Sequence, residues 1–307
     1  MSRSRESRRA LRRPALRIEG AAIASVTMSD RFGDELETRA RVLLEFVDKT
    51  MDVIERYEHK FLIPERVVPE IRSFARSTSR LDGYAREDGA YAIRSLYFDT
   101  PALDLYMAND REQGRRFKAR VRMYPGATSP YFLEVKQRVL DVIVKSRAPV
   151  PGDRWREAID GDGGILEALP ERSRTGVRAF ASKVLAHHLE PVLIVEYERE
   201  AYVSEVDSYA RLTFDRKIRV QSRTTLDLET DDRHWRSIDH VVQTQTSEPV
   251  TVLELKFERR PPVWMHAMVR SLELVRWSFS KYCYGLRNEL TLPSADRTAT
   301  ALPPGSV

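Results

Sequence analysis

Phe117-Lys118-Ala119-Arg120-Val121-Arg122-Met123 is the stretch from which the rest of the chain can be read. Side chains of an extended strand alternate between faces, so residues two apart share one surface. One face here carries Lys118, Arg120 and Arg122, and the other carries Phe117, Ala119, Val121 and Met123. Cations about 7 Å apart repel by roughly 0.6 kcal/mol in water and by about 2 kcal/mol in a partly enclosed site. A solvated face would be served as well by Thr, Gln or Ser, whereas a bound polyanion reverses the cost.

The same alternation recurs outward from this stretch. It gives Arg56, Glu58 and Lys60; Glu134, Lys136 and Arg138; Lys145 and Arg147; and Glu254, Lys256 and Glu258. A single strand of this kind is commonly the wet face of an antiparallel sheet, but the repetition of one design argues for a shared lining. The apolar sides, such as Leu133 and Val135 or Leu253, Leu255 and Phe257, require cover, which amphipathic helices supply from outside. The expected fold is α+β: a closed antiparallel eight-stranded β-barrel with helices packed outside and charges around a lumen.

Arg offers a planar fork of donors and Lys a compact charge, both suited to phosphate. The chain has no Walker-type Gly-rich loop, so side chains must hold the phosphates. Glu58, Glu134 and Glu254 would be repelled by phosphate unless a hard divalent cation, Mn²⁺ or Mg²⁺, bridged the two. Glu58 and Glu134 could equally neutralise a neighbouring cation, and the pattern alone leaves both roles open for these two.

Strands are expected at 54–63, 92–99, 116–124, 131–138, 142–149, 192–203, 210–214, 217–221 and 250–258. Pro64 opens a helix carrying Val67, Val68, Ile71, Phe74 and Ala75; others fall at 103–107, 171–187 and 264–290, and 161–164 reads as a turn. Residues 1–50 form an Arg-rich tail and linker helix, with helical spacing over 36–47. Residues 51–290 form the single core domain, and 291–307 a loose end.

Composition narrows the function. Seven Arg against one Glu in residues 1–17 give +6, so with a whole-chain charge of +5 the remainder is at −1, and the arrangement of charge matters more than its amount. One cysteine, Cys283, excludes an intrachain disulfide or thiolate cluster, and the six scattered His lack zinc spacing. No apolar run is long enough for a membrane helix. The basic start lacks the apolar segment of an export signal, which points to a cytoplasmic protein.

The order of motifs resembles the polyphosphate polymerase domain of the vacuolar transporter chaperone complex, a branch of the triphosphate tunnel metalloenzymes related to the CYTH group. The resemblance spans about 54–288 and rests on Arg56-Tyr57-Glu58-His59-Lys60-Phe61, Ser95-Leu96-Tyr97-Phe98-Asp99-Thr100, Lys118 to Tyr124, Phe132-Leu133-Glu134-Val135-Lys136 and Lys145-Ser146-Arg147. It continues through Val195-Glu196-Tyr197-Glu198-Arg199, Arg211 to Arg216, Leu253-Glu254-Leu255-Lys256-Phe257 and Ser280-Lys281-Tyr282. The resemblance implies a tunnel in which Lys60, Arg120, Arg122, Lys136, Lys145, Arg199, Arg211 and Lys281 contact phosphates and Glu254 helps bind the metal. Parity alone supports the first five and Glu254. Lys118 and Lys256, on the same faces, and Ser280, beside Lys281, complete the candidate phosphate set. Ser278 stands where some relatives carry a basic residue, and Arg56 replaces the first Glu of the family's Glu-x-Glu-x-Lys opening, which favours the polymerase branch.

The expected activity is transfer of the γ-phosphoryl group of ATP to a growing inorganic polyphosphate, with Arg120, Arg122, Lys136 and Glu254 at the reacting groups. Water in the attacking position would make the same site an inorganic triphosphatase. A non-catalytic polyphosphate or inositol-phosphate binding module would keep the cations without needing Glu254. Nucleic acid is disfavoured because neither a recognised motif nor a clear stacking platform accompanies the cations. A separate membrane partner could receive the product.

Overall fold

The computed structural model describes residues 56–86, 89–127, 130–139, 142–161, 163–207 and 209–291. The chain divides into units Met1–Ile54 and Glu55–Val307. The Arg-rich tail, the helix expected over 36–47 and the C-terminal loose end lie outside the described residues.

Eight strands carry the fold: β1 (Arg56–Pro64), β3 (Tyr91–Asp99), β4 (Arg115–Met123), β5 (Tyr131–Val139), β6 (Val142–Val150), β7 (Glu190–Ser204), β8 (Ala210–Ser222) and β10 (Val250–Glu258). Two short strands join at the side, β2 (Ser79–Leu81) on β7 and β9 (Arg236–Ser237) on β8. The helices are α1 (Val68–Arg76), α2 (Asp104–Asp110), α3 (Trp155–Asp160), α4 (Gly163–Ala168), α5 (Glu171–His187), α6 (Val241–Thr244), α7 (Val263–Ser271) and α8 (Lys281–Thr291). All pairings are antiparallel, in the order β1-β10-β8-β7-β3-β4-β5-β6.

Several expected bounds shift for identifiable reasons. The two strands expected at 210–214 and 217–221 are one, β8, bent where Lys217 takes φ 50°. The helix expected over 264–290 is two, α7 and α8, separated by the non-helical segment 272–280. Of the expected turn at 161–164, Gly161 caps α3 in the left-handed region at φ 72°, and α4 already begins at Gly163.

The expected closed barrel is corrected: the sheet is open, with no β1–β6 pairing in its strand order. The outer edge of β1 is instead met by the segment before α8, through a Phe61–Arg276 bridge and Trp277 N–H donating to Lys60 O at 2.8 Å. Those backbone groups are therefore taken. The sheet nevertheless curls far enough that Lys136 on β5, near one end of the order, lies 2.8 Å from Glu58 on β1 at the other end.

Alternation divides the core. On the outer side of β4, β5 and β6, Ala119, Val121, Leu133, Val135, Ala148 and Val150 pack with Trp155, Ile165, Val177 and Phe180 of α3 to α5. A Cβ on Gly176 would lie 2.9 Å from that of Ala148, so glycine allows α5 to sit down on β6. On the outer side of β1, β10 and β8, Phe61, Leu212, Phe214, Leu253, Leu255 and Phe257 pack with Ile71 of α1 and Met265 and Met268 of α7. Inside the curl, α8 lies on Leu193 and Val220 through Gly285, whose would-be Cβ is 2.7 Å from Val220 Cγ1. The two faces of the strands thus meet different surroundings, as the alternation requires.

Candidate functional site

With the apolar faces covered from outside, the alternate residues converge in the curl. β4 supplies Lys118, Arg120 and Arg122, opposite Lys136, Glu134 and Phe132 of β5, while Glu134 and Lys136 in turn face Arg147 and Lys145 of β6. Across the curl, β1 and β10 pair Lys60 with Glu254 and Glu58 with Lys256, and β10 and β8 pair Glu254 with Thr213 and Lys256 with Arg211.

Glu134 is buried within a ring of cations. Arg120 is 2.7 Å away, Arg122 and Arg147 are 3.4 Å away, and Lys145 is 3.9 Å away. Burial opposes its charge, but Arg120 and Lys145 outweigh burial and hold the carboxyl below its ordinary range. Glu134 pairs with cations here, as Glu58 does with Lys136 and Lys256 and Glu254 with Lys256 and Arg199. Arg120 also donates to the Tyr97 hydroxyl at 2.8 Å.

The opposite wall centres on Asp215, which the sequence reading did not assign a role. It is fully buried, accepts a two-pronged bond from Arg199 at 2.7 and 2.8 Å, and accepts from Lys281 at 2.5 Å. Burial raises its pKa, but these two cations win and depress it. Arg199 and Lys281 are raised in return; burial disfavours both charges, and Asp215 more than offsets it. The signal was available, because Asp215 lies at even spacing from Arg211 on the same strand face.

Glu254 lies 3.5 Å from Lys256 and 3.8 Å from Arg199, and Glu58 lies 3.8 Å from Lys256. Burial penalises both carboxylates, and cations including Lys256 keep both below the ordinary range, Glu254 well below it. Lys60 donates to Phe279 O at 3.0 Å, and burial lowers its pKa despite Glu254. Ser280 accepts from Lys118 at 2.8 Å and from Cys283 N–H at 3.2 Å, so it caps α8 while it orients a lumen lysine. Burial pushes Lys118 down to about 8. Arg211, opposite Lys256 on β10, lies 3.5 Å from Asp82. Among the described residues, Arg122 Nε and the hydroxyls of Ser95 and Thr213 are buried without hydrogen-bond partners.

Candidate residues from seven strands and α8 thus meet in one lumen. This is a cation-lined antiparallel fold suited to an extended polyanion. A family model for the VTC domain matches residues 55–289, and the chain belongs to the VTC domain family. Vacuolar transporter chaperone complex subunit 4 of Schizosaccharomyces pombe is 25% identical over 242 residues, which cover 66% of this chain. They cover only 32% of that relative, so the chain spans about a third of its length. Among solved structures, HpAC1 from Hippeastrum is 14% identical, with 76% of this chain and 96% of that chain covered at a TM-score of 0.43. The PH1819 protein of Pyrococcus horikoshii OT3 is 13% identical, with 76% and 99% covered at a TM-score of 0.39.

Glu254 and Glu58, both beside Lys256, are the carboxylates that could hold a hard divalent cation together with phosphate oxygens and water. Among the described residues no group of three or more His, Cys, Asp or Glu could form an all-protein site. No helix among them is long and apolar enough to cross a membrane.

Proposed function

We propose that this VTC domain is a polyphosphate polymerase that transfers the γ-phosphoryl group of ATP to the end of an inorganic polyphosphate. The observation that carries the reading is the surplus of cations over carboxylates in the lumen. Lys118, Arg120, Arg122, Lys136, Lys145 and Arg147 share one wall with a single carboxylate, Glu134. Buried polar atoms without partners, Arg122 Nε among them, support the same conclusion, since desolvating such groups is costly until a ligand meets them.

In this reading a terminal phosphate oxygen of the chain forms a bond to the γ-phosphorus as the β–γ bridging bond breaks, and ADP leaves. Arg120, Arg122 and Lys136 hold the phosphates in line and meet the charge that develops on the transferring group. Arg199 and Lys281, clamped by Asp215, present fixed charge from the opposite wall. Lys60, Lys145, Lys256 and Arg211 track the rest of the polyanion, and Ser280 holds Lys118 in place. Glu254, with Glu58, would hold Mn²⁺ or Mg²⁺, which when bound screens charge between phosphate oxygens. Glu134 serves as the counterion of its four cations.

The test is to incubate the protein with ATP and Mn²⁺ or Mg²⁺ and resolve the products by phosphate chain length. Long chains with release of ADP are expected, and Glu254→Ala should reduce the rate at least a hundredfold, the scale of losing a principal electrostatic group. Release of orthophosphate without chain growth would instead identify a triphosphatase. Binding without turnover under either metal would leave a phosphate-binding module.

A further inference from the structure

Beside the cationic lumen lies a group of tyrosines that the phosphate chemistry does not use. Tyr84, between β2 and β3, stacks on Tyr124, just after β4, with ring centroids 5.5 Å apart and planes inclined by 3°. Tyr91 leans against both, at 6.0 Å from Tyr84 and 5.9 Å from Tyr124. Together with Arg86 and the turn Pro125-Gly126-Ala127 they line a cavity of about 230 Å³. Tyr84 is 61% exposed, whereas Tyr91 is buried.

The group is held in place. Buried Asp82 accepts from Tyr84 N–H at 3.1 Å and from the Tyr91 hydroxyl at 2.8 Å. Arg86 donates to Pro125 O at 2.8 Å across the cavity. Gly126 has φ 86°, a conformation that disfavours a side chain, and a Cβ there would lie 3.2 Å from Arg86 Nη2.

The same group touches the phosphate machinery at two points. Asp82, which fixes both tyrosines, is 3.5 Å from Arg211. The Tyr124 hydroxyl accepts from Arg147 at 3.5 Å, and Arg147 lies over Phe132, 3.8 Å from its centroid. An exposed flat aromatic surface one contact away from phosphate-binding cations suits a ligand that is aromatic at one end and polyanionic at the other.

We propose that Tyr84, backed by Tyr124 and Tyr91, stacks against the base of the nucleoside triphosphate whose phosphates enter the lumen past Arg211 and Arg147. The inference rests on the nucleotide-donor reading above. It makes Tyr84 a determinant of the choice between a nucleotide and a bare polyphosphate. An aromatic surface stacks on any base, so purine nucleotides should be favoured by area alone.

The test measures binding of a non-hydrolysable ATP analogue and of inorganic tripolyphosphate to the 307-residue chain, its Tyr84→Ala variant and its Tyr84→Trp variant. Tyr84→Ala should weaken the analogue roughly tenfold, within the range that alanine substitution of a base-stacking aromatic produces, and leave tripolyphosphate within twofold. Tyr84→Trp should restore the analogue. Unchanged analogue binding in Tyr84→Ala, or an equal loss of both ligands, overturns the proposal. Wild-type protein that binds tripolyphosphate but not the analogue overturns the stacking and leaves the phosphate lumen standing. Wild-type protein that binds neither overturns both.

Discussion

The wall of β7, β8, β10 and the start of α8 keeps its charges in pairs, whereas the wall of β4, β5 and β6 gathers cations around one carboxylate. On the first, Asp215 and Glu254 face Arg199, Lys281 and Lys256 at 2.5 to 3.8 Å. On the second, Arg120, Arg122, Lys145 and Arg147 converge on Glu134 alone. Burial pushes Lys118 of this wall down to about 8, while on the other wall Lys281 is held above its ordinary value because Asp215 outweighs burial. The contrast teaches that one wall is a preassembled frame, while the other carries cations that its own carboxylate does not balance.

The sharpest way to break that comparison is Asp215→Asn. It strands Arg199 and Lys281 as buried cations, and the loss should be about 3 kcal/mol or more of stability in denaturant unfolding. A variant as stable as the wild type would show that the frame is not prebuilt. Gly285→Val acts on the same wall through packing, because its side chain would drive into Val220 and Leu193 and lift α8. Its expected cost is about 1–3 kcal/mol, with weaker tripolyphosphate binding as Lys281 and Ser280 move.

On the other wall the sign should invert. Lys118→Met should raise stability at pH 7 by on the order of 1 kcal/mol, since it removes a poorly solvated charge, yet weaken tripolyphosphate in calorimetry. The pH dependence has the same origin. In the folded chain burial pushes Lys118 down to about 8 from 10.5, so between these values the unfolded chain holds more protons and stability rises with pH. Tripolyphosphate favours the protonated lysine, so its binding should take up protons near pH 8 and weaken as pH rises through that value. Binding flat from pH 7 to 9 would refute the assignment. The smallest effect is expected from deletion of residues 1–50, which should leave polymerase activity and tripolyphosphate binding within twofold.

Much of this was legible in linear order. Strand β10 and helix α5 have the bounds that their patterns predicted, Val250–Glu258 and Glu171–His187. A continuous apolar period identified each element, and turn residues flank it. Short elements such as β2, β9 and α6 carry too few residues to show a period. Asp215 lies at even spacing from Arg211, which the resemblance rather than parity marked, and a lone acid after an aromatic carries no sign of the two cations it clamps.

The sequence by itself determined which side chains share a strand face, because alternation is a property of the extended backbone, and so it singled out Lys60, Arg120, Arg122, Lys136 and Lys145, while Arg199, Arg211 and Lys281 came from the family motifs. Only the tertiary structure decided who faces whom. Lys60 and Lys281 are far apart in the chain, yet both reach the surroundings of Glu254. The sheet curls without closing because the segment before α8, not β6, meets the edge of β1. Pairing across a lumen depends on strand order and curvature, and neither is written in the spacing of residues along a single strand.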